Sequence, residues 1–488
     1  MLLSVLAVRA DVTLPAVLAE HMVLQRGLPV HIWGTADPGE SVAVEFRGQT
    51  RGTVADELGG WSVYLAPVEA GGPFELTVKG RNTIALSDVL VGDVWVASGQ
   101  SNMEMRVQST ANAQAEIAAA NFPRMRLFQA LDKVSDYPLE DIAARTWAPA
   151  SPETAAKFSA VAFYFGRAIQ QRIDVPMGLI ETDWGGTPAE AWTSLHSLSA
   201  DAALMPVFSE WSRMNDPRAT VLLERRKQDL EWERAAAQAK SEGRTPSGRP
   251  WQPNEGNSWM PAGLFNAMIA PLTRFPIRGA IWYQGESNAG AERAPLYARL
   301  FQTMIRDWRR AWGQGDFPFL FVQLANYETS PQNMWPEVRE AQLEALSLAN
   351  TGMAVTIDIG MPKNIHPVNK QDVGLRLALA ARAIAYGEKI EYSGPLYRQT
   401  TPEGDRLRVW FDHAAGGLKS KGKEVTGFEI AGLDRKFSPA QARIDGSTVV
   451  VWSAPVPAPA YVRYGWANNP ECDLYNSDDL PASPFRSE

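Results

Sequence analysis

Four short segments of this 488-residue chain hold the residue types that acyl transfer needs. Ser101 lies in Ser98-Gly99-Gln100-Ser101-Asn102-Met103-Glu104, directly after the apolar run Val94-Trp95-Val96-Ala97. A serine on a glycine-containing turn between a strand and a helix can present its hydroxyl to a carbonyl carbon. Neighbouring backbone N–H groups then point at the oxyanion that develops. A serine in such a loop also serves as a helix cap, so the nucleophile reading needs a partner. The hydroxyl attacks only when an imidazole takes its proton, and the chain has five histidines. His21 and His31 fall in a first β-patterned region, His413 in a second, and His196 opens a charged insertion. That leaves His366, in Asn364-Ile365-His366-Pro367-Val368-Asn369-Lys370. Two more loops offer oxyanion donors. In Asp183-Trp184-Gly185-Gly186-Thr187-Pro188-Ala189-Glu190-Ala191-Trp192 the paired glycines allow close backbone approach, with Gly186 the candidate N–H. In Trp282-Tyr283-Gln284-Gly285-Glu286-Ser287-Asn288-Ala289-Gly290 the candidate amide is Gln284, with Asn288 as its substitute.

These loops need a scaffold that brings them together. From residue 89 onward, buried-strand runs alternate with helical stretches. Asp93 to Ser98, Met177 to Thr182, Gly279 to Tyr283, Phe317 to Leu324 and Met353 to Asp358 read as strands, with helices at 111–120, 158–172, 292–312, 335–349 and 369–386. That order predicts an α/β unit, a parallel sheet with helices on its faces, over 89–387. Each of the four loops then falls at a strand's carboxyl end, where such sheets bind ligands. Residues 11–88 show short alternating runs, such as Val42-Val44-Phe46 and Trp61-Val63-Leu65, broken by Gly/Pro turns, which predict an N-terminal β-sandwich. Residues 195–257, with the charged stretch Leu222 to Lys240, read as an insertion that borders the cleft. After Gly387 alternation returns, so 388–488 is expected to be a C-terminal β region. Its tail, from Tyr461 to Phe485, is expected to pack back on the α/β unit.

Composition narrows the partners. Apolar residues at 45% and charged residues at 21% suit a folded globular chain, and a net charge of −8 argues against nucleic acid or an anionic membrane. The expected substrate is neutral or small. No run is long enough to span a bilayer, and the single Cys472 allows no intrachain disulfide. Residues 1–10 have an apolar centre and a small residue at the end, like the tail of a secretory signal peptide without its basic leader. A periplasmic or secreted location is therefore expected. Oligomeric state is not legible.

The four loops together resemble the sialate O-acetylesterase family of the SGNH-like hydrolases, nearly end to end. The strongest points are Ser98 to Glu104, Trp184 to Trp192, Trp282 to Ala289, and Ile365-His366-Pro367 with Asn369-Lys370-Gln371. His21-Met22-Val23-Leu24-Gln25, Trp33-Gly34, Arg339-Glu340-Ala341-Gln342 and Arg463-Tyr464-Gly465-Trp466 support it. The resemblance implies a three-layer α/β/α, flavodoxin-like hydrolase domain and acetyl transfer through an acyl-serine, with no metal or cofactor. Ser101 resembles the nucleophile and His366 its base. Gly186 and a polar residue between Gln284 and Asn288 resemble the oxyanion donors, beside the Ser101 N–H. The chain departs from the family at the aspartate that usually stands two or three residues before the histidine, because those positions are Asn364 and Lys363. The imidazole must then be oriented by Asn364, by Asp358 or Glu286, or by a backbone carbonyl; otherwise Ser101 and His366 work as a dyad. Losing that carboxylate costs on the order of 10⁴ in turnover in triad enzymes.

The expected substrate is an O-acetylated polysaccharide or oligosaccharide such as xyloglucan or xylan, ahead of 9-O-acetyl sialic acid. No arginine cluster of the kind a sialic carboxylate wants is legible, and Arg106 is the one nearby candidate. The rival from another class is a glycan-binding protein without activity, for which the 17 tryptophans would supply stacking surfaces.

Overall fold

A computed structural model describes residues 11–215, 220–246 and 257–487. The signal-like residues 1–10 lie outside the described residues, as do two short pieces of the insertion.

The strand Thr83–Gly99 organises the molecule. Its first six residues alternate in exposure, and from Val89 to Gly99 every residue is buried. The two patterns reflect two environments. The amino-terminal half pairs antiparallel with Gly71–Lys79 in the N-terminal β unit, whose outer face is wet. The carboxyl-terminal half runs between parallel neighbours Met177–Asp183 and Gly279–Tyr283, where helices cover both faces. The boundary read at 88/89 thus falls inside one strand rather than at a linker. One hydrophobic core joins both units, running from Val12 to Ala381.

The central sheet continues outward from that strand. Beyond Gly279–Tyr283 lie Phe319–Val322 and Thr351–Ala354, and beyond Met177–Asp183 lies Phe122–Gln129, all parallel; Ala148–Ala150 closes that edge antiparallel. Leaving aside Phe122–Gln129 and Ala148–Ala150 at that edge, the remaining five parallel strands have the flavodoxin-like order, and the loops on either side of the first strand flank its switch point. Helices Ala160–Ile173 and Lys370–Ile384 pack together on one face, where Trp95 meets Phe165 edge-on. On the other face Trp282 meets Trp308 of helix Ala294–Trp312, which packs against Trp335–Glu344. These are the three layers of an α/β/α domain.

Within the insertion, Leu195–Ser199 packs on helix Ala294–Trp312, and the Asp307 carboxylate accepts hydrogen bonds from Ser194 N–H and Ser194 Oγ, both at 2.7 Å, and from Ser197 Oγ. A 22-residue helix, Thr220–Ser241, follows. The chain after residue 387 forms antiparallel sheets around a second core that includes Val409, Ile430, Val451 and Phe485. Tyr461–Tyr464 is a strand of one of these sheets. The residues that follow it lie against the α/β unit, with Ala467 and Asn468 carbonyls on Arg339 and Ser483 on Gln323. No helix among the described residues is long and apolar enough to cross a membrane.

Candidate active site

Register places three of the four loops side by side. Gly99 is level with Asp183 on one side and Tyr283 on the other, so the chains leaving all three strands start from one edge. Gly99 has φ of +142°, and a Cβ there would collide with the Tyr283 carbonyl. Only glycine fits that turn, which delivers Ser101 as the first residue of the helical turn Ser101–Glu104. Helix-start N–H groups have no preceding turn to bond, so the Ser101 amide is free to face a ligand atom.

His366 Nε2 stands 2.7 Å from Ser101 Oγ, across 265 positions of sequence. Asn102 fastens the two loops. Its Nδ2 donates to the Ile365 carbonyl at 2.9 Å and to Glu286 Oε1 at 2.6 Å, while its Oδ1 accepts from Lys370 Nζ at 2.6 Å. Burial pushes Lys370 down to about 7 and drives the Glu286 carboxyl up. The remaining histidines are occupied elsewhere. His31 spends both ring nitrogens on the Arg274 carbonyl and Ser62, His21 pairs with Asp88, and His413 pairs with Glu391. His196 lies in Leu195–Ser199.

None of the three residues considered for orienting the imidazole does so. Asn364 Oδ1 accepts the His366 backbone N–H at 3.0 Å, a local turn contact that does not reach the ring. Asp358, in the turn after the strand Thr351–Ala354, is held by Arg376 in a two-bond fork at 2.6 and 2.8 Å and also accepts from Tyr475, which ties that turn to the helix Lys370–Ile384. Glu286 Oε1 faces Asn102, and its Oε2 has no partner. Among the described residues no side chain is hydrogen-bonded to Nδ1 of His366. Burial, with the charge of Lys370 adding to it, holds the imidazole below its usual value. A base with a lowered pKa stays neutral further into acid. The acid limb of kcat/KM is therefore expected to have its midpoint below 6.5, and Lys370→Gln is expected to move it upward; a pH–rate profile on a small acetyl ester measures both.

The oxyanion candidates divide. Gln284 is fully buried, its Oε1 accepts from Tyr297, and its Nε2 donates to Asn288 Oδ1 at 2.6 Å and to the Thr187 carbonyl at 3.2 Å. Both amide hydrogens are spent, so Gln284 has none for an oxyanion. Asn288 accepts from Ala189 N–H at 2.9 Å and donates to Glu190, which in turn pairs with Arg293. These two amides shape the second loop from behind; a polar cluster at a strand end was satisfied internally here. In the second loop Gly185 lies directly against the nucleophile, because a Cβ built on it would sit 3.4 Å from Ser101 Cβ and 2.7 Å from Glu104 Oε2. Gly186 follows with φ of +74°, its carbonyl taking the Trp259 indole N–H at 2.6 Å, so the chain just past the insertion touches this loop. Sequence reasoning missed Asn102, Lys370, Gln100 and Gly185 as site builders. Gln100 Oε1 accepts the Ser287 N–H at 3.2 Å and so ties the first loop to the third. All four stood inside the matched motifs, which was the available signal.

A flavodoxin-like sheet with a serine hydroxyl and an imidazole at its switch point defines a serine ester hydrolase of the SGNH-like kind. The chain belongs to the sialate O-acetylesterase family. It is 32% identical to the sialate O-acetylesterase of mouse (Mus musculus), over 95% of this chain and 92% of that one. The human (Homo sapiens) sialate O-acetylesterase is 31% identical over 93% of this chain and 88% of its own length. Residues 243–385 match the family model described as carbohydrate esterase, sialic acid-specific acetylesterase. The crystal structure of a carbohydrate acetylesterase from Xanthomonas citri superposes with a TM-score of 0.84 at 38% identity, covering 98% of this chain and 99% of that one.

Proposed function

We propose that the protein removes acetyl groups from an O-acetylated polysaccharide or oligosaccharide, with Ser101 as nucleophile and His366 as general base. The 2.7 Å approach of the hydroxyl to the imidazole carries this reading. Ser101 Oγ attacks the acetyl carbonyl carbon as its proton passes to His366 Nε2. The oxyanion is met by the backbone N–H of Ser101 and by the glycine pair Gly185-Gly186 rather than by Gln284. On collapse the His366 N–H gives the proton to the departing sugar oxygen, leaving acetyl-serine. Water, deprotonated by the same imidazole, then releases acetate. With no side chain among the described residues on Nδ1 to balance the imidazolium, the pair acts as a dyad, and Asn102 keeps the two loops in register.

Acetylated xyloglucan or xylan is the substrate we favour. Similarity to the mouse and human sialate O-acetylesterases favours a second reading, 9-O-acetyl sialic acid. A mass-spectrometric panel of acetylated xyloglucan, acetylated xylan and 9-O-acetyl sialic acid tests the order. Loss of 42 Da units from the polysaccharide fragments, at about tenfold higher kcat/KM than from the sialic acid, is the expected outcome. Acetate released from sialic acid alone reverses it. We also place the protein in the periplasm or outside the cell, on the signal-like residues 2–10; cell fractionation that finds it only in the cytosol overturns that placement.

A further inference from the structure

Carboxyl groups that the acyl-transfer steps leave unused gather beside the turn that carries Ser101. Glu104 projects from the turn that carries Ser101, and its Oε2 borders the same spot as Ser101 Cβ, beside Gly185. Asp183, at the carboxyl end of Met177–Asp183, is 5% exposed and its Oδ2 has no hydrogen-bond partner. Two residues along the strand from Glu181, it lies on that residue's face of the sheet, where Arg106 pairs with Glu181. Burial and the neighbouring carboxylates, Glu181 first among them, hold Asp183 well above the usual carboxylate range against the opposing charge of Arg106, and burial with Glu104 nearby pushes Asp132 up to about 6. Arg106 is the cation of the group, and it is spent. It pairs with Glu181 and lies 3.8 Å from Glu104. The carboxyls therefore outnumber the positive charge.

A buried carboxyl group without a partner is costly unless a ligand supplies one. Sugar hydroxyls are such donors. A carboxylate of the sugar is not, because it offers no proton and meets like charge. We propose that Glu104, Asp132 and Asp183 form a hydroxyl-binding wall that selects a neutral, polyhydroxylated acetylated sugar over an anionic one. The proposal rests on Ser101 as the attacking group, since Glu104 is placed by the turn that carries that serine. It deepens the substrate reading by assigning its physical cause.

The test compares three probes on the full-length enzyme: an acetylated neutral xylo-oligosaccharide, 9-O-acetyl-N-acetylneuraminic acid, and 4-nitrophenyl acetate as a reference without a sugar. Normalised to the reference, kcat/KM is expected to favour the neutral sugar about tenfold or more at low salt, and the preference is expected to shrink as salt screens the wall. Glu104→Gln and Asp132→Asn are each expected to narrow the neutral-to-anionic ratio several-fold. Asp183→Asn is expected to raise KM for the neutral sugar with a smaller change in kcat. Equal effects on both sugars, or a wild-type preference for the anionic one, overturn the wall while leaving the esterase reading intact. No turnover of 4-nitrophenyl acetate overturns the esterase reading, and the wall with it.

Discussion

Ser101→Ala and His366→Ala are each expected to lower kcat on a small chromogenic acetyl ester by about 10⁴-fold or more, and the double variant no further than the worse single one. The hydroxyl and the ring act on one proton, so removing either removes the whole transfer. Strict additivity of the two losses would mean that the groups act independently, against the 2.7 Å contact. The same assay separates the enzyme from a glycan-binding protein of the same fold. A binding protein would leave wild type and Ser101→Ala indistinguishable in turnover and equal in affinity for the glycan.

The second large effect is on stability. Arg339 is fully buried and, among the described residues, pairs with no carboxylate; it donates to four backbone carbonyls, Leu324, Ala325, Ala467 and Asn468, at 2.7–2.9 Å. Two of those carbonyls follow the strand Phe319–Val322, and two belong to the segment that docks from the C-terminal β region. Burial lowers its pKa to about 9, yet it remains charged at neutral pH. Arg339→Ala would leave four acceptors in a dry site, at a cost of about 3–5 kcal/mol. Arg339→Lys is expected to recover only part of it, because an ammonium has three donors and lacks the planar fork. Urea denaturation with limited proteolysis measures this. An Arg339→Ala protein within about 1 kcal/mol of wild type, with its C-terminal segment still protected, would contradict the assigned role.

How far the sequence could be read depended on how local the signal was. Val89 to Gly99, Met177–Asp183 and Gly279–Tyr283 are buried on both faces, and their apolar stretches, such as Val94 to Ala97 and Met177 to Ile180, are legible as buried strands. Phe122–Gln129 escaped because Pro123, Arg124 and Arg126 interrupt its pattern. Arg126 is nonetheless only 5% exposed, held by a fork to Asp88. The junction at residue 88 misled for a related reason: a change of sequence pattern marks a change of environment, and here one strand crosses from a half-wet sheet into a dry one. At the site, the meeting of Ser101 and His366 was legible because each sits in a loop after a strand, and because the chain has only five histidines. Gln284 was misassigned because sequence shows that an amide is buried without showing which groups absorb its hydrogens. The contact of Asn102 with Lys370, 268 positions apart, has no local signature at all.

The central claim is that Ser101 forms a covalent acyl-type bond with His366 taking its proton. A fluorophosphonate that phosphonylates activated serines, followed by peptide mass spectrometry, reads this directly. The expected result is one modified residue, Ser101, labelled rapidly in wild type and at least about 10³-fold more slowly in His366→Ala. Labelling of a different residue, or an unchanged rate at Ser101 without the imidazole, would contradict the account.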